Sequence, residues 1–235
     1  MSRTTGSVTL ISMAPAMVDA KLLAQTEIFE GIEEGLLADV ADYSVCRALA
    51  RGDSLFAMND LPDAMYVVLS GRIAIVTTAP DGRDSVISLM EEGDLFGEMG
   101  LFDGRGRSAS ARALEASEVL AVPYGPMRRL YEERPDHLWR VVAMLVRRLR
   151  AAGAALTDAV FLDVVGRTAK RLLSFAGEGD SFELPVTQEE LAAMVGASRE
   201  RVNKAISQFV RLGWLGRSGS RYVIHDRTQL TLRSR

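Results

Sequence analysis

Between residues 48 and 123, short β-prone runs return about every ten residues, at 65–69, 72–77, 85–90 and 119–122. Turn chemistry separates them: Arg51-Gly52-Asp53, Leu61-Pro62-Asp63, Ser70-Gly71, Pro80-Asp81-Gly82, Glu92-Gly93-Asp94 and Asp103-Gly104. Strands this short and this regularly spaced pair as antiparallel hairpins, so the segment folds as an all-β barrel or sandwich. Ahead of it, Leu22, Leu23, Ile28, Phe29, Ile32, Leu36, Leu37 and Val40 recur at helical spacing. Gly31 and Gly35 are expected to cut that stretch into short helices. The chain is therefore α+β.

Past Pro135 the period changes. Leu138, Val142, Leu145, Leu149, Ala152, Leu156 and Ala159 alternate steps of four and three, with Arg140, Arg147, Arg148 and Arg150 off the stripe. That is a heptad seam on a helix of about 40 Å, and it is expected to pair with a second copy of itself. Phe161-Leu162-Asp163-Val164 then reads as a hinge, with Asp163 capping a helix that stops at 177–179.

Thr187 and Glu190 have the spacing of a capping box, opening a helix that buries Leu191, Ala192 and Val195. Gly196 ends it, and Ser198 caps a second helix burying Val202, Ala205, Ile206, Phe209 and Val210. Two short helices joined by a glycine turn make a helix-turn-helix. Gly213, Gly219 and the β-prone stretch 221–224 predict a hairpin wing behind it. If the second helix is a recognition helix, its apolar stripe turns Arg199, Glu200, Asn203, Lys204 and Ser207 outwards. Arginine and lysine can reach guanine and glutamate can accept from cytosine, while Ser198 and Thr187 suit backbone phosphates.

Charge supports that reading. Residues 1–160 carry 16 Lys/Arg against 23 Asp/Glu, whereas residues 198–235 carry nine against two. An acidic body ending in a basic module is expected to meet a polyanion with that module. One cysteine, Cys46, excludes an intrachain disulfide and a multi-cysteine metal site, and His137 and His225 offer no ligand spacing. No metal is expected, and both histidines are read as ordinary polar residues. No run of about 20 apolar residues exists to span a membrane. Residues 8–17 loosely imitate a secretory signal, but Thr9, Ser12 and Pro15 interrupt them. They are read as a leader on a cytoplasmic protein.

A second constellation is Leu95-Phe96-Gly97-Glu98-Met99-Gly100-Leu101-Phe102 followed by Arg107-Ser108-Ala109. A phosphate pocket needs backbone N–H groups, a close-approaching glycine, a guanidinium fork and a hydroxyl. All are available here, and Glu98 can accept from a sugar hydroxyl. A buried ion pair would explain the same residues.

The order of these features resembles the CRP/FNR family of bacterial regulators over roughly residues 20–230. The resemblance rests on Phe96-Gly97-Glu98, Arg107-Ser108-Ala109, the seam helix, the Phe161-Leu162-Asp163-Val164 hinge with Gly166-Arg167, and the run from Gly196 to Lys204. It implies a cyclic-nucleotide-binding β-roll (19–135) after the leader (1–18), a dimerisation helix and hinge (136–162) and a winged helix-turn-helix (163–235). It further implies a homodimer, cyclic AMP as allosteric ligand, a palindromic double-stranded DNA operator with TGTGA-like half-sites, and RNA polymerase as a partner. Gly97, Glu98 and Met99 would then line the ribose side, and Arg107 and Ser108 the cyclic phosphate. Arg199, Glu200 and Lys204 would read the bases.

Ala152 and Gly153 align with the helix positions that grip the adenine in cyclic-AMP-binding members, and neither side chain can hydrogen-bond. Cyclic GMP, a cyclic dinucleotide or an empty pocket therefore stand as alternatives, as does a nucleotide-binding interaction module without DNA binding. An enzyme acting on cyclic nucleotides would need an activated water, and no His/Asp cluster is present to bind a metal for it. The protein is read as a non-enzyme.

Overall fold

The computed structural model describes residues 23–24, 26–79 and 84–235. The expected leader, Leu22 and the turn at Pro80-Asp81-Gly82 lie outside the described residues. Among the described residues, eight strands lie in the amino-terminal half: β1 (Val45–Leu49), β2 (Ser54–Phe56), β3 (Ala64–Ser70), β4 (Ile73–Thr78), β5 (Asp84–Met90), β6 (Leu95–Phe96), β7 (Ser110–Ala113) and β8 (Ser117–Pro123). They make two antiparallel four-stranded sheets, ordered β1-β8-β3-β6 and β2-β7-β4-β5.

Alternation along the strands explains how the sheets stack. In β3, Ala64, Tyr66 and Val68 turn towards the second sheet, where they meet Ile73, Ala111 and Ala113 together with Phe96 and Val119 of their own sheet. Met65 and Val67 point the other way, into a cluster with Leu120, Val122 and the helices. Because β3 is covered on both faces, its sequence reads as one apolar run.

The covering helices are α1 (Glu34–Ala41), α2 (Met99–Asp103), α3 (Tyr124–Glu133) and α4 (Leu138–Phe161), with 3-10 turns at Glu27–Phe29 and Pro135–His137. Gly35 does not break a helix as expected but is the second residue of α1. His137, read as an ordinary polar residue, is buried, and its Nε2 has no hydrogen-bond partner.

The start of α4 also differs from expectation. Leu138, Val141 and Met144 pack into the helix–sheet cluster, so Leu138 leaves the outward stripe, whereas the rest of the expected seam is exposed. Trp139, Val142, Leu145, Val146, Leu149, Leu156 and Val160 are its large apolar residues, with Trp139 76% and Leu149 73% exposed. The β-roll claims one face of the helix and leaves the next one bare.

The carboxyl-terminal half comprises α5 (Val164–Ala176), β9 (Ser181–Glu183), α6 (Gln188–Val195), α7 (Arg199–Arg211), β10 (Leu215–Ser218), β11 (Arg221–Ile224) and α8 (Arg227–Arg233). The caps fall where the sequence placed them. Asp163 accepts from the Gly166 amide, Thr187 and Glu190 form the capping box, and Gly196 is left-handed at φ 69°. The wing hairpin β10–β11 gains an unexpected third strand, β9, in the order β10-β11-β9. Helix α8 was also not anticipated; Asp226 caps it and Leu230 anchors it.

One buried cluster joins the two halves. Ala74, Val76 and Val86, on the outer face of β4 and β5, lie in the same cluster as Val186, Leu191, Val195, Ile206 and Phe209. The Arg72 guanidinium donates to the Pro185 carbonyl, and Ser85 Oγ donates to the Ala193 carbonyl at 3.4 Å. The molecule is thus layered as helices, sheet, sheet and helix-turn-helix.

Candidate functional site

Gly97, Glu98, Met99, Arg107 and Ser108 come together at the junction of β6, α2 and β7. Gly97 adopts φ 75°, and a Cβ there would lie 2.8 Å from Arg107 Nη1. The left-handed backbone favours glycine, and a side chain there would press on the Arg107 guanidinium. The following residue, Glu98, is 2% exposed, and its Oε1 accepts from Arg148 Nη1 at 2.6 Å. Arg148 also donates to the Leu95 carbonyl. The long helix α4 therefore reaches into the pocket through a charged pair with the carboxylate assigned to a sugar hydroxyl.

Arg107 is 5% exposed, and its guanidinium is turned inwards. Nη1 donates to the Gly97 carbonyl at 2.7 Å and Nη2 to the Ala64 carbonyl at 2.7 Å. The Phe56 ring lies 4.3 Å away, beside a stack of Phe56, Tyr66 and Phe96. Only Nε is without a partner among its nitrogens. Ser108 Oγ is 3.4 Å from Met99 Sδ, a weak acceptor that a stronger one would displace.

Ala152 and Gly153 are exposed on α4, and nothing lies within 4 Å of a Cβ built on Gly153. They are not brought against the pocket of their own chain. Gly153 lies on the observed outward stripe, one heptad from Val146 and Val160.

On the other side of the molecule, α7 presents Arg199, Glu200, Lys204 and Ser207 to solvent while Val202, Ala205, Ile206 and Phe209 are buried. Lys204 and Glu200 pair loosely at 3.7 Å and are each about four-fifths exposed (80% and 82%). Ser198 Oγ accepts from the Arg201 amide at 3.4 Å, which leaves its hydroxyl hydrogen free to donate. Thr187 Oγ1 is committed to the Glu190 amide in the same manner, at 3.2 Å. Asn203 departs from expectation: it is half-buried, and its Oδ1 is buried without a partner. It sits on the flank of the helix beside Val202 and Ile206, whereas Val210, expected in the buried stripe, is 41% exposed.

Comparison with known proteins places both regions. Residues 46–134 match the cyclic nucleotide-binding domain and residues 166–233 the Crp-like helix-turn-helix domain. A CRP-like cAMP-activated global transcriptional regulator from Mycobacterium tuberculosis is 35% identical over 222 residues, covering 92% of this chain and 99% of that protein. The chain belongs to the CRP/FNR family.

The cAMP-activated global transcriptional regulator CRP of Escherichia coli is 31% identical over 179 residues, 73% of this chain and 85% of that protein. Among solved structures, FixK2 from Bradyrhizobium japonicum superposes with a TM-score of 0.74 at 21% identity, covering 82% of this chain and 98% of that one. This CRP/FNR chain thus joins a cyclic nucleotide-binding β-roll to a DNA-binding helix-turn-helix domain. Sequence reasoning missed the roles of Arg148 and Tyr124 at the pocket. Arg148 was visible as an off-stripe arginine, but Tyr124 follows β8 with no motif to mark it.

Proposed function

We propose that the protein is a homodimeric, cytoplasmic transcription factor whose β-roll binds cyclic AMP and whose winged helix-turn-helix then binds a palindromic operator. The observation that carries this is the buried Glu98 carboxylate beside the inward Arg107 across the Gly97 turn. A carboxylate for the ribose follows Gly97 in the chain, and a guanidinium for the cyclic phosphate lies against that same glycine. The domain boundaries we assign are 1–18, 19–135, 136–162 and 163–235. RNA polymerase is the expected downstream partner.

The relay follows from the same residues. A ribose hydroxyl donating to Glu98 shares that carboxylate with Arg148, which belongs to α4. The ligand therefore meets the helix whose apolar stripe would pair two subunits. A ligand shifts the equilibrium only by its differential affinity for two arrangements, and the Glu98–Arg148 pair provides a contact that can differ between them. On the DNA side, Arg199, Glu200 and Lys204 would face base edges, with Thr187 and Ser198 at phosphates and Asn203 contributing from the flank. Paired recognition helices would place half-sites about 34 Å apart.

A different ligand is the second reading, and Ala152-Gly153 favours it. Without hydroxyls there, an adenine would forgo roughly 0.5–1.5 kcal/mol for each missing bond. Calorimetric titration with cyclic AMP, cyclic GMP and a cyclic dinucleotide separates these readings. A gel shift with and without the tightest binder tests DNA binding. Tight binding of the dinucleotide with none of cyclic AMP would reassign the ligand.

A further inference from the structure

In the structure, both terminal nitrogens of Arg107 are committed to backbone carbonyls, Gly97 O and Ala64 O. An anion that takes the Nη1 hydrogen held at 2.7 Å by Gly97 O must draw it from that carbonyl. That carbonyl is half-buried, and losing its donor would hold the arginine where it is. Gly97 O, however, has a second donor: the phenol of Tyr124 also donates to it. The same phenol oxygen accepts from Arg107 Nη1 at 3.2 Å, so the three groups form a closed triangle.

We propose that Tyr124 is a positioning residue of the phosphate subsite, whose hydroxyl keeps the Gly97 carbonyl satisfied when Arg107 Nη1 transfers to the ligand's phosphate. The proposal rests on the cyclic-nucleotide reading of this pocket. Peptide geometry adds a second consequence. The C=O and N–H of a trans peptide point in opposite directions. With Gly97 O fixed towards Tyr124, the Glu98 amide stays aimed at the other side of the turn throughout the exchange.

The phenol is well placed for this task. Tyr124 is 8% exposed, and its own amide donates to the Asp63 carbonyl at 2.8 Å, which fixes the start of α3. Burial pushes its ionisation above the ordinary tyrosine value, against the opposing pull of Arg107, so the hydroxyl keeps its proton at neutral pH.

The test is Tyr124→Phe in the full chain. Calorimetry would use cyclic AMP and its two phosphorothioate diastereomers, which differ only in which exocyclic phosphate atom is sulfur. The unliganded urea midpoint should change little, because Arg107 still serves Gly97 O. Affinity for cyclic AMP should fall roughly three- to tenfold, and the ratio between the diastereomers should move. Unchanged affinities would overturn the proposal. So would one common loss for all three ligands together with a matching loss of unliganded stability, which marks a structural role. If the parent protein binds none of the three, the cyclic-nucleotide reading itself fails and Tyr124 falls with it.

Discussion

The pocket and the reading helix present their polar groups in opposite ways. On α7, Arg199, Glu200 and Lys204 stand in solvent, held by little more than a loose ion pair. In the β-roll, Glu98 and Arg107 are buried and already engaged, one by Arg148 and the other by two carbonyls. A partner of α7 adds contacts to a surface that is waiting for them. A ligand that takes Glu98 or Arg107 Nη1 exchanges contacts that the chain makes with itself, and an exchange can be coupled to a change of shape.

The contrast is broken most strongly at Arg107. Arg107→Ala would remove the guanidinium and leave the Ala64 carbonyl and the rings around it without their partner. We expect loss of nucleotide binding together with roughly 3 kcal/mol or more of stability, read by calorimetry and urea unfolding. Loss of binding with an unchanged unfolding curve would mean that the inward ties contribute nothing.

Next in size is the bare face of α4. Leu149→Asp places a charge on the outward stripe of each subunit. A residue central to an interface contributes about 2 kcal/mol, so the monomer–dimer constant should weaken by at least about 30-fold in sedimentation. A variant that sediments as its parent would show that this face is not the contact between subunits.

Arg199→Ala sharpens the comparison from the exposed side. It should cost roughly 1–3 kcal/mol on a specific duplex and leave stability within about 0.5 kcal/mol of the parent. Removing Arg217 on the wing should instead weaken all duplexes alike and flatten the salt slope by about one unit. Anisotropy on specific and scrambled duplexes at several salt concentrations distinguishes the two. An equal loss on both duplexes for Arg199→Ala would make it a phosphate contact.

The same division explains what was legible in the sequence. Caps and exposed faces depend on neighbours within about four residues, so Thr187, Gly196 and Ser198 were readable from spacing alone. The strand spacing gave the β-roll for the same reason, since hairpins are local. Arg148 meets Glu98 from 50 residues away, and Tyr124 meets Gly97 from 27 away. Periodicity carries no record of such pairings. On α4 only Leu138 departs from the expected stripe, because the β-roll, not the heptad, decides which face the start of the helix buries. Strand β9 was hidden because it is three residues long and pairs with β11 across the domain. The packing of β4 and β5 on the helix-turn-helix was invisible because Ala74, Val76 and Val86 satisfy the alternation of any two-faced sheet.

Between the two regions stands the hinge, where the expected effect is smallest. The Gly166 amide, donating to Asp163 Oδ1 at 2.8 Å, holds that carboxyl below the ordinary carboxylate range. A hydrogen bond from Arg233 on α8 acts in the same direction. Because the folded value lies below the unfolded one, the unfolded chain takes up the proton first as pH falls. The stabilisation is therefore complete above about pH 4, the ordinary carboxylate value, and is lost as pH drops through the folded value. Asp163→Asn keeps a capping acceptor but removes the charge. The Asp163 side chain is 60% exposed, so screening limits the loss at pH 7 to about 0.2–1 kcal/mol. Urea midpoints of parent and variant, compared from pH 7 down to pH 3, should converge at the acid end as the parent's carboxylate is protonated. A gap of constant size across that range would show that the charge on Asp163 does not stabilise the hinge, and that the cap alone holds the start of α5.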